Sequence, residues 1–457
     1  MKKIRNPQSA IRTALACFLC LANVLAGAEE SAKPAPAPQA QGAAEAPGEW
    51  QKLETHLVPL PQPRQVLSPG LFDKDLQRYI VFPKDGGPVD TGLPHGGRDK
   101  DGKEYPAILA RLQQNVVWID FNGDGKISPG ETRTLSRDGT LAPFFCELHY
   151  DDGTAGQYSF GLKTVVENEK YALVRCAART VEFQGHKLVF LDDNGNGKYD
   201  DVGQDVVIVG DGPPCFLGKY LKLGDKFYEI LVHPAGATVE IRTAGKLDKG
   251  TVDLFAKYKP PQKAENLRIH MVIIAGPEGS FSFDEQHKTS VVPAGTYDLV
   301  FGLFERAKEV VYMRKGQKTS FSVAVGQTAT PLWGAPVKAQ FTVAIEEKGI
   351  VASPPTFVGA ATEEYVPDNL HLTPVRASMA QVFTDPMKVE HKIPTGGRAF
   401  EVQPNGELGP VAFKPTRLAP DEYELDVEYS SGILGAITGR ERIQYVPAKK
   451  KPVDKKN

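Results

Sequence analysis

Cysteine is scarce in this chain, with five among 457 residues. Two of them, Cys17 and Cys20, fall in an N-terminal stretch read below as an export signal, which leaves Cys146, Cys176 and Cys215. An odd number excludes a complete disulfide framework. The segments "FFCELHY", "QYSFGLKTV" and "YALVRCAA" read as three successive strands. In a meander Cys146 and Cys176 then lie two strands apart, about 9.6 Å at roughly 4.8 Å per strand, beyond the ~7 Å that a disulfide tolerates. A bridge to Cys215 stays open. Catalytic signatures are missing as well. There is no His-Glu-x-x-His, no Gly-x-Ser-x-Gly and no phosphate-cradling glycine loop. The nine histidines are scattered, with no pair at metal-binding spacing. His233 in "ILVHPAG" and His270 in "RIHMVII" sit in strand runs, where packed or surface histidines are expected.

Long apolar runs are missing too. The longest, "TALACFLCLANVLA", falls short of the about 20 residues that a membrane-spanning helix needs. It follows Lys2, Lys3, Arg5 and Arg12 and precedes Ala26-Gly27-Ala28, the pattern of a cleaved export signal over 1–28. Cleavage there removes four positive charges and no negative one, taking the net charge from −2 to −6. A mildly acidic mature chain is a poor non-specific ligand for nucleic acid or an anionic surface. The exception is the basic tail over 448–457, "AKKKPVDKKN", which reads as a solvated end. The expected location is secreted, periplasmic or cell-surface, with no transmembrane segment after cleavage.

What is abundant is strand. Residues 29–49 are an Ala- and Pro-rich spacer with almost nothing to bury. Beyond it, runs such as "RYIVF", "NVVWID", "KLVFLD", "DVVIVG", "YEILV", "YDLVFGLF", "EVVYMR" and "YELDVEY" are short and rich in β-branched and aromatic residues. They are separated by Gly, Pro, Asn or Asp. Only "PAILARLQQ" at 106–114 offers a short helix. The expected fold is mainly β and multi-domain, built of antiparallel β-sandwiches. The expected division is a β-rich domain over 50–222, a second over 223–336 and a third over 337–447. "GQTATPLWGAPVK" is the junction between the last two.

Two segments of the second half echo each other. "VVPAGTYDLVF" (291–301) and "RLAPDEYELDV" (417–427) each place a proline before a tyrosine that leads an alternating strand. They resemble the tyrosine-corner strand of fibronectin type III and immunoglobulin-like domains, and the hairpin of carboxypeptidase regulatory-like modules. The resemblance implies that the hydroxyls of Tyr297 and Tyr423 tie a loop to the body of a sandwich.

The most specific chemistry lies in "VVWIDFNGDGKISPGETRTL", 116–135. Asp120, Asn122 and Asp124 alternate, Gly125 follows where the chain must turn, and Glu131 closes the run at its twelfth position. A hard cation takes about six to eight oxygens at roughly 2.3–2.6 Å. The three short side chains, the Lys126 carbonyl, Ser128 through water and both oxygens of Glu131 would supply them. The spacing resembles an EF-hand loop, set here between strands instead of helices. Trp118 beside it reads as core, with stacking on a sugar as the alternative.

Seventy-two residues on, "KLVFLDDNGNGKYDDVGQD" repeats the plan with Asp192, Asn194, Asn196 and the Lys198 carbonyl. Its twelfth position is Gly203, so Asp200, Asp201 or Asp205 must replace the closing glutamate. That arrangement resembles thrombospondin type 3 loops, and the bland alternative is a polar hairpin turn. Ca2+ is the expected cofactor of both loops. The chain then reads as an exported, calcium-binding β-sandwich protein with a structural, adhesion or ligand-binding role and no enzymatic activity. Its partner would be a cell-surface protein or polysaccharide. The alternative is a secreted hydrolase or a carbohydrate-binding accessory protein.

Overall fold

The computed structural model describes residues 46–446 except 61–78, 84, 97–102, 123, 127, 136–142, 166–169, 263–265, 347–348, 369, 371, 404–406 and 415–420. The signal segment 1–28, most of the spacer 29–49 and the basic tail 448–457 lie outside the described residues.

The described chain is almost entirely β-strand in several antiparallel sheets. Its one helical element is a 3-10 turn at Pro129–Glu131. The segment expected as a short helix, 106–114, instead forms the strand Leu109–Gln113. It pairs with Val116–Asp120 in the register Ala110↔Ile119 and Leu112↔Val117. A nine-residue helix is marginal in isolation, and the apolar strand across the Gln114–Asn115 turn captures the segment. Gln114 makes that turn with a φ of 56°.

The chain divides into two compact units, Met1–Leu247 with Pro277–Ser280, and Asp248–Gly276 with Phe281–Asn457. Three domains were expected, so this is a different partition, and strand pairing explains it. Strands Lys226–Val232 and Thr238–Thr243 join Gln51–Glu54 in one sheet, with Gln51 opposite Ile241. The first unit therefore extends well past residue 222. The expected junction over 326–338 is core instead of linker. Trp333 is fully buried, donates its indole N–H to the Leu254 carbonyl at 2.7 Å, and stacks on Tyr258 at 4.0 Å. One eight-stranded sheet runs in order through Arg268–Gly276, Gly295–Arg306, Glu309–Arg314, Glu364–Pro367, Thr356–Val358 and Lys338–Gln340, joining strands from both sides of that segment.

Within the first unit the meander of Phe144–His149, Ala155–Val165 and Lys170–Arg175 forms as the sequence predicts. Cys146, Cys176 and Cys215 form no disulfide. Burial pushes the thiols of Cys146 and Cys176 up to about 12, so both are packed and inert. Phe144, Phe160, Tyr158, Tyr199, Ile119 and Leu188 belong to one apolar core. Trp118 is buried with the Arg111 guanidinium over its ring, which removes it as a sugar platform. His233 and His270 pair with Glu240 and Glu305 at 3.2 and 2.6 Å.

In the second unit the Tyr297 hydroxyl donates to the Pro293 carbonyl at 2.9 Å, the loop tie that the tyrosine-corner resemblance implies. Tyr423 is equally buried, but the matching carbonyl four residues back, that of Ala419, lies outside the described residues.

Candidate metal centre

The first loop is held by two strands and by its own backbone. Val116–Asp120 enters and pairs with both Leu109–Gln113 and Thr132–Thr134, so the loop sits on a strand–loop–strand frame. Val117 and Ile119 face the core and pull Asp120 in behind them, leaving it 3 % exposed. Glu131 is 4 % exposed at the end of the 3-10 turn. Its Oε1 accepts from the Phe121 N–H at 3.2 Å and its Oε2 from the Ser128 N–H at 3.3 Å. Position twelve thus reaches back to the residue after position one, and the twelve-residue run closes on itself. Asn122 Oδ1 accepts from Asp124 N–H at 2.9 Å, and Asp124 Oδ1 from Lys126 N–H at 2.7 Å. Gly125 turns the chain at a φ of +69°, which favours glycine, and donates its N–H to Asp120 Oδ2 at 3.0 Å. The other oxygen, Asp120 Oδ1, is buried and has no hydrogen-bond partner.

The second loop follows the strand His186–Leu191 and is fully woven. Asp192 Oδ1 accepts from the N–H groups of Gly195 and Asn196 at 2.7 and 3.2 Å. Its Oδ2 accepts from Gly197 N–H at 2.7 Å and from the Tyr158 hydroxyl at 2.6 Å. Asn194 donates its amide to Asp201 at 2.9 Å and to Gln204 at 3.0 Å, and the Asn196 amide also donates to Asp201. Lys198 N–H donates to Asn196 Oδ1 at 2.8 Å. Asp205 accepts from Asp193 N–H at 3.2 Å and from Asp201 N–H at 2.9 Å. Asp193 forms a buried ion pair with Arg175, whose Nη1 also donates to the Asp192 carbonyl at 3.0 Å. Of the expected ligands in this second loop, only Asp200 keeps a buried oxygen, Oδ1, without a partner.

Crowding of carboxylates shows in their acidities. Burial pushes the Asp192 carboxyl up to about 6, against the pull of the Tyr158 hydroxyl, the Gly197 amide and Arg175. Burial, then the nearby Asp192 charge, raises Asp205 well above the usual carboxylate range. Burial and then Asp201 raise Asp200.

Among the described residues no three His, Cys, Asp or Glu side chains come together as a ready metal cluster. In the first loop Asp120, Asp124 and Glu131 each turn at least one oxygen onto a backbone N–H. In the second loop all but Asp200 have protein donors on their side chains. Each loop keeps one orphaned carboxylate oxygen, and the first fits a cation better because its orphan belongs to the buried opening aspartate, Asp120, where Asp200 is only half-buried.

Four residues of the second loop's network were absent from the expected ligands: Tyr158, Arg175, Asp193 and Gln204. One signal was present in the sequence. An arginine in the apolar strand "YALVRCAA" needs a buried partner, and the doubled aspartate of "FLDDNG" offers one.

No protein-family model matches this chain, and no curated protein matches it. Among the described residues no helix is long and apolar enough to cross a membrane. The large exposed aromatic side chains among them, Trp50, Phe145 and Phe383, belong to different parts of the fold and form no row of the kind a sugar platform needs.

Proposed function

We propose that this is an exported, calcium-stiffened β-sandwich protein whose role is structural, adhesive or ligand-binding, and that the loop 120–131 is its principal calcium site. The observation that carries this reading is the buried Asp120 Oδ1 without a donor, inside a loop whose spacing suits a hard cation. A buried carboxylate oxygen left unsatisfied is costly, and a cation relieves it. Asp120, Asn122, Asp124 and Glu131, with the Lys126 carbonyl and Ser128 through water, would hold the ion. Calcium would supply a fixed positive charge and no redox chemistry. The second loop offers Asp192, Asn194, Asn196, the Lys198 carbonyl, Asp200 and Asp205, but its donors are already internal, so its site is the weaker one.

The strand frame supports a stiffening role over a sensing one. A sensor opens a helix pair to expose an apolar groove, and the flanks here are strands locked by register. Extracellular sites bind at about 10⁻⁴ to 10⁻³ M.

Isothermal titration with calcium tests the assignment. At least one site is expected, and Asp120→Ala with Glu131→Ala abolishes the tighter one. Unchanged binding after that double change removes the assignment. A large calcium-dependent rise in ANS binding by the folded protein would instead make the loop a switch.

A further inference from the structure

The sheet Glu390–Ala399, Arg376–Thr384, Asp421–Ser431, Gly435–Tyr445 buries one face and opens the other. Along Asp421–Ser431 the side chains of Leu425, Val427 and Tyr429 are buried, so Glu424, Asp426 and Glu428 lie on the opposite face. Glu424 pairs with Lys392, Arg440 and Arg442, and Asp426 pairs with Arg440 at 2.6 Å. Glu428, the next along, is exposed and forms no ion pair among the described residues. A cavity opens on each side of it. One, of about 300 Å³, is lined by Arg376, Ser378 and Arg398, and the other, of about 510 Å³, by Lys338, Thr438 and Arg440. Register brings these residues together. Arg376 and Thr438 lie opposite Glu428 on its two sides, and Ser378 and Arg440 lie opposite Asp426. A Cβ at Gly439 would stand 2.2 Å from the Ala339 carbonyl oxygen, so the strand Lys338–Gln340 lies hard against this edge and walls the larger cavity. The two cavities share Glu428 and make one groove across the strands. From Glu390–Ala399 to Gly435–Tyr445 it crosses three strand spacings, about 14 Å at roughly 4.8 Å each.

What lines the groove points to its occupant. No aromatic and no large aliphatic side chain is among the lining residues. That leaves no anchor pocket for a stable protein partner and no stacking face for a neutral sugar or a nucleic-acid base. The lining holds four cations, Lys338, Arg376, Arg398 and Arg440, against two carboxylates, Asp426 and Glu428, on a chain whose net charge is −2. Arg440 is taken up by Asp426, whereas Lys338, Arg376 and Arg398 form no ion pair among the described residues. The spare positive charge thus lies to either side of Glu428. That carboxylate repels a ligand charged at every unit and accepts hydrogen bonds from a ligand that presents hydroxyls there. We infer that the groove binds an acidic polysaccharide, a uronate chain whose carboxylates are separated by neutral, hydroxyl-rich units. Arg376 and Arg398 take a carboxylate in the smaller cavity and Lys338 takes another in the larger, while Glu428, Ser378 and Thr438 bond the hydroxyls between them. The inference rests on the ligand-binding role proposed above, names the class of ligand, and does not involve the calcium loops.

The test is isothermal titration of the full mature chain, in chelator, with a short hyaluronan oligosaccharide, in which uronates alternate with neutral sugars. Binding is expected, and it weakens with salt. Neutral dextran, polyglutamate and single-stranded DNA bind more weakly or not at all. Arg376→Gln with Lys338→Gln weakens hyaluronan binding about tenfold, because two charge-assisted hydrogen bonds are lost. Both side chains are exposed, so the circular dichroism spectrum of that variant is unchanged. Glu428→Gln removes the discrimination, and polyglutamate then binds as tightly as hyaluronan. Asp120→Ala with Glu131→Ala leaves hyaluronan binding as it was, so failure of the calcium assignment and failure of this inference are read separately. Absence of hyaluronan binding overturns the inference, as does binding indifferent to the Arg376 and Lys338 changes or a Glu428→Gln protein that discriminates as before. Dextran bound as tightly as hyaluronan would mark a neutral-glycan site. Polyglutamate or DNA bound as tightly would assign the groove to polyanions at large, and either result likewise overturns it.

Discussion

The two acidic loops share a spacing and differ in how their carboxylates are satisfied. Val117, Asp120, Asn122, Gly123, Gly125 and Lys126 recur identically as Val189, Asp192, Asn194, Gly195, Gly197 and Lys198. The residue after the first aspartate divides them. In the first loop it is Phe121, which packs edge-on against Phe144 and Phe160 and adds nothing polar. In the second it is Asp193, which draws a buried arginine into the site. Asp192 has four donors, three backbone and one phenolic, where Asp120 has one. The same spacing thus makes one loop whose opening aspartate is satisfied by protein donors and another whose opening aspartate leaves a buried oxygen open. A repeated motif does not imply a repeated need for metal.

The comparison breaks most visibly at Arg175. Arg175→Met removes one partner of the buried Arg175–Asp193 ion pair and should cost about 3–5 kcal/mol in urea unfolding of the first unit, with no recovery in calcium. A loss under ~1 kcal/mol would show that the pair carries little of the second loop's order. Next in size is Asp192→Asn measured in chelator. An amide accepts through one atom only, so two of the four donors lose their acceptor, for a cost of about 2 kcal/mol. If calcium at the second loop were what held it, the cost in chelator would nearly vanish.

Calcium itself should act through the first loop. At a concentration tenfold above its dissociation constant it should stabilise the first unit by about 1.4 kcal/mol. Differential scanning calorimetry with and without chelator should show this shift for residues up to about 247 and none for the second unit, because every candidate ligand lies between Asp120 and Asp205. Equal shifts in both transitions would place the calcium elsewhere. The smallest effect is expected for Asp120→Asn in chelator, within about 0.5 kcal/mol, because Oδ1 has no protein donor to lose and the remaining oxygen keeps Gly125. The same change should remove the calcium shift. Calcium stabilisation that survives it would equate the two loops after all.

Much of the fold was legible because its signals are local. The short apolar runs in "KLVFLD" and "EVVYMR", each bounded by charged residues, suit a buried strand, and both are strands. The corner at Tyr297 was legible for the same reason, since its partner is four residues away. "PAILARLQQ" misled because its apolar spacing suits a short helix as well as a strand, and only the facing strand decides between them. The domain division misled because Trp333, in a stretch rich in Gly and Pro, reads as linker until Leu254 and Tyr258 are seen around it.

At the candidate site the same line can be drawn residue by residue. Sequence alone determined the alternation of Asp120, Asn122 and Asp124, the glycine at the turn and the glutamate that closes the loop, because side-chain spacing along a single segment sets them. It also determined that the second loop lacks that glutamate. Only the tertiary structure decided which carboxylate oxygens are already taken. The Tyr158 hydroxyl reaches Asp192 across 34 residues, and Arg175 reaches Asp193 across 18. Such donors arrive on other strands of the sandwich, at positions set by register and core packing, and no local pattern encodes them.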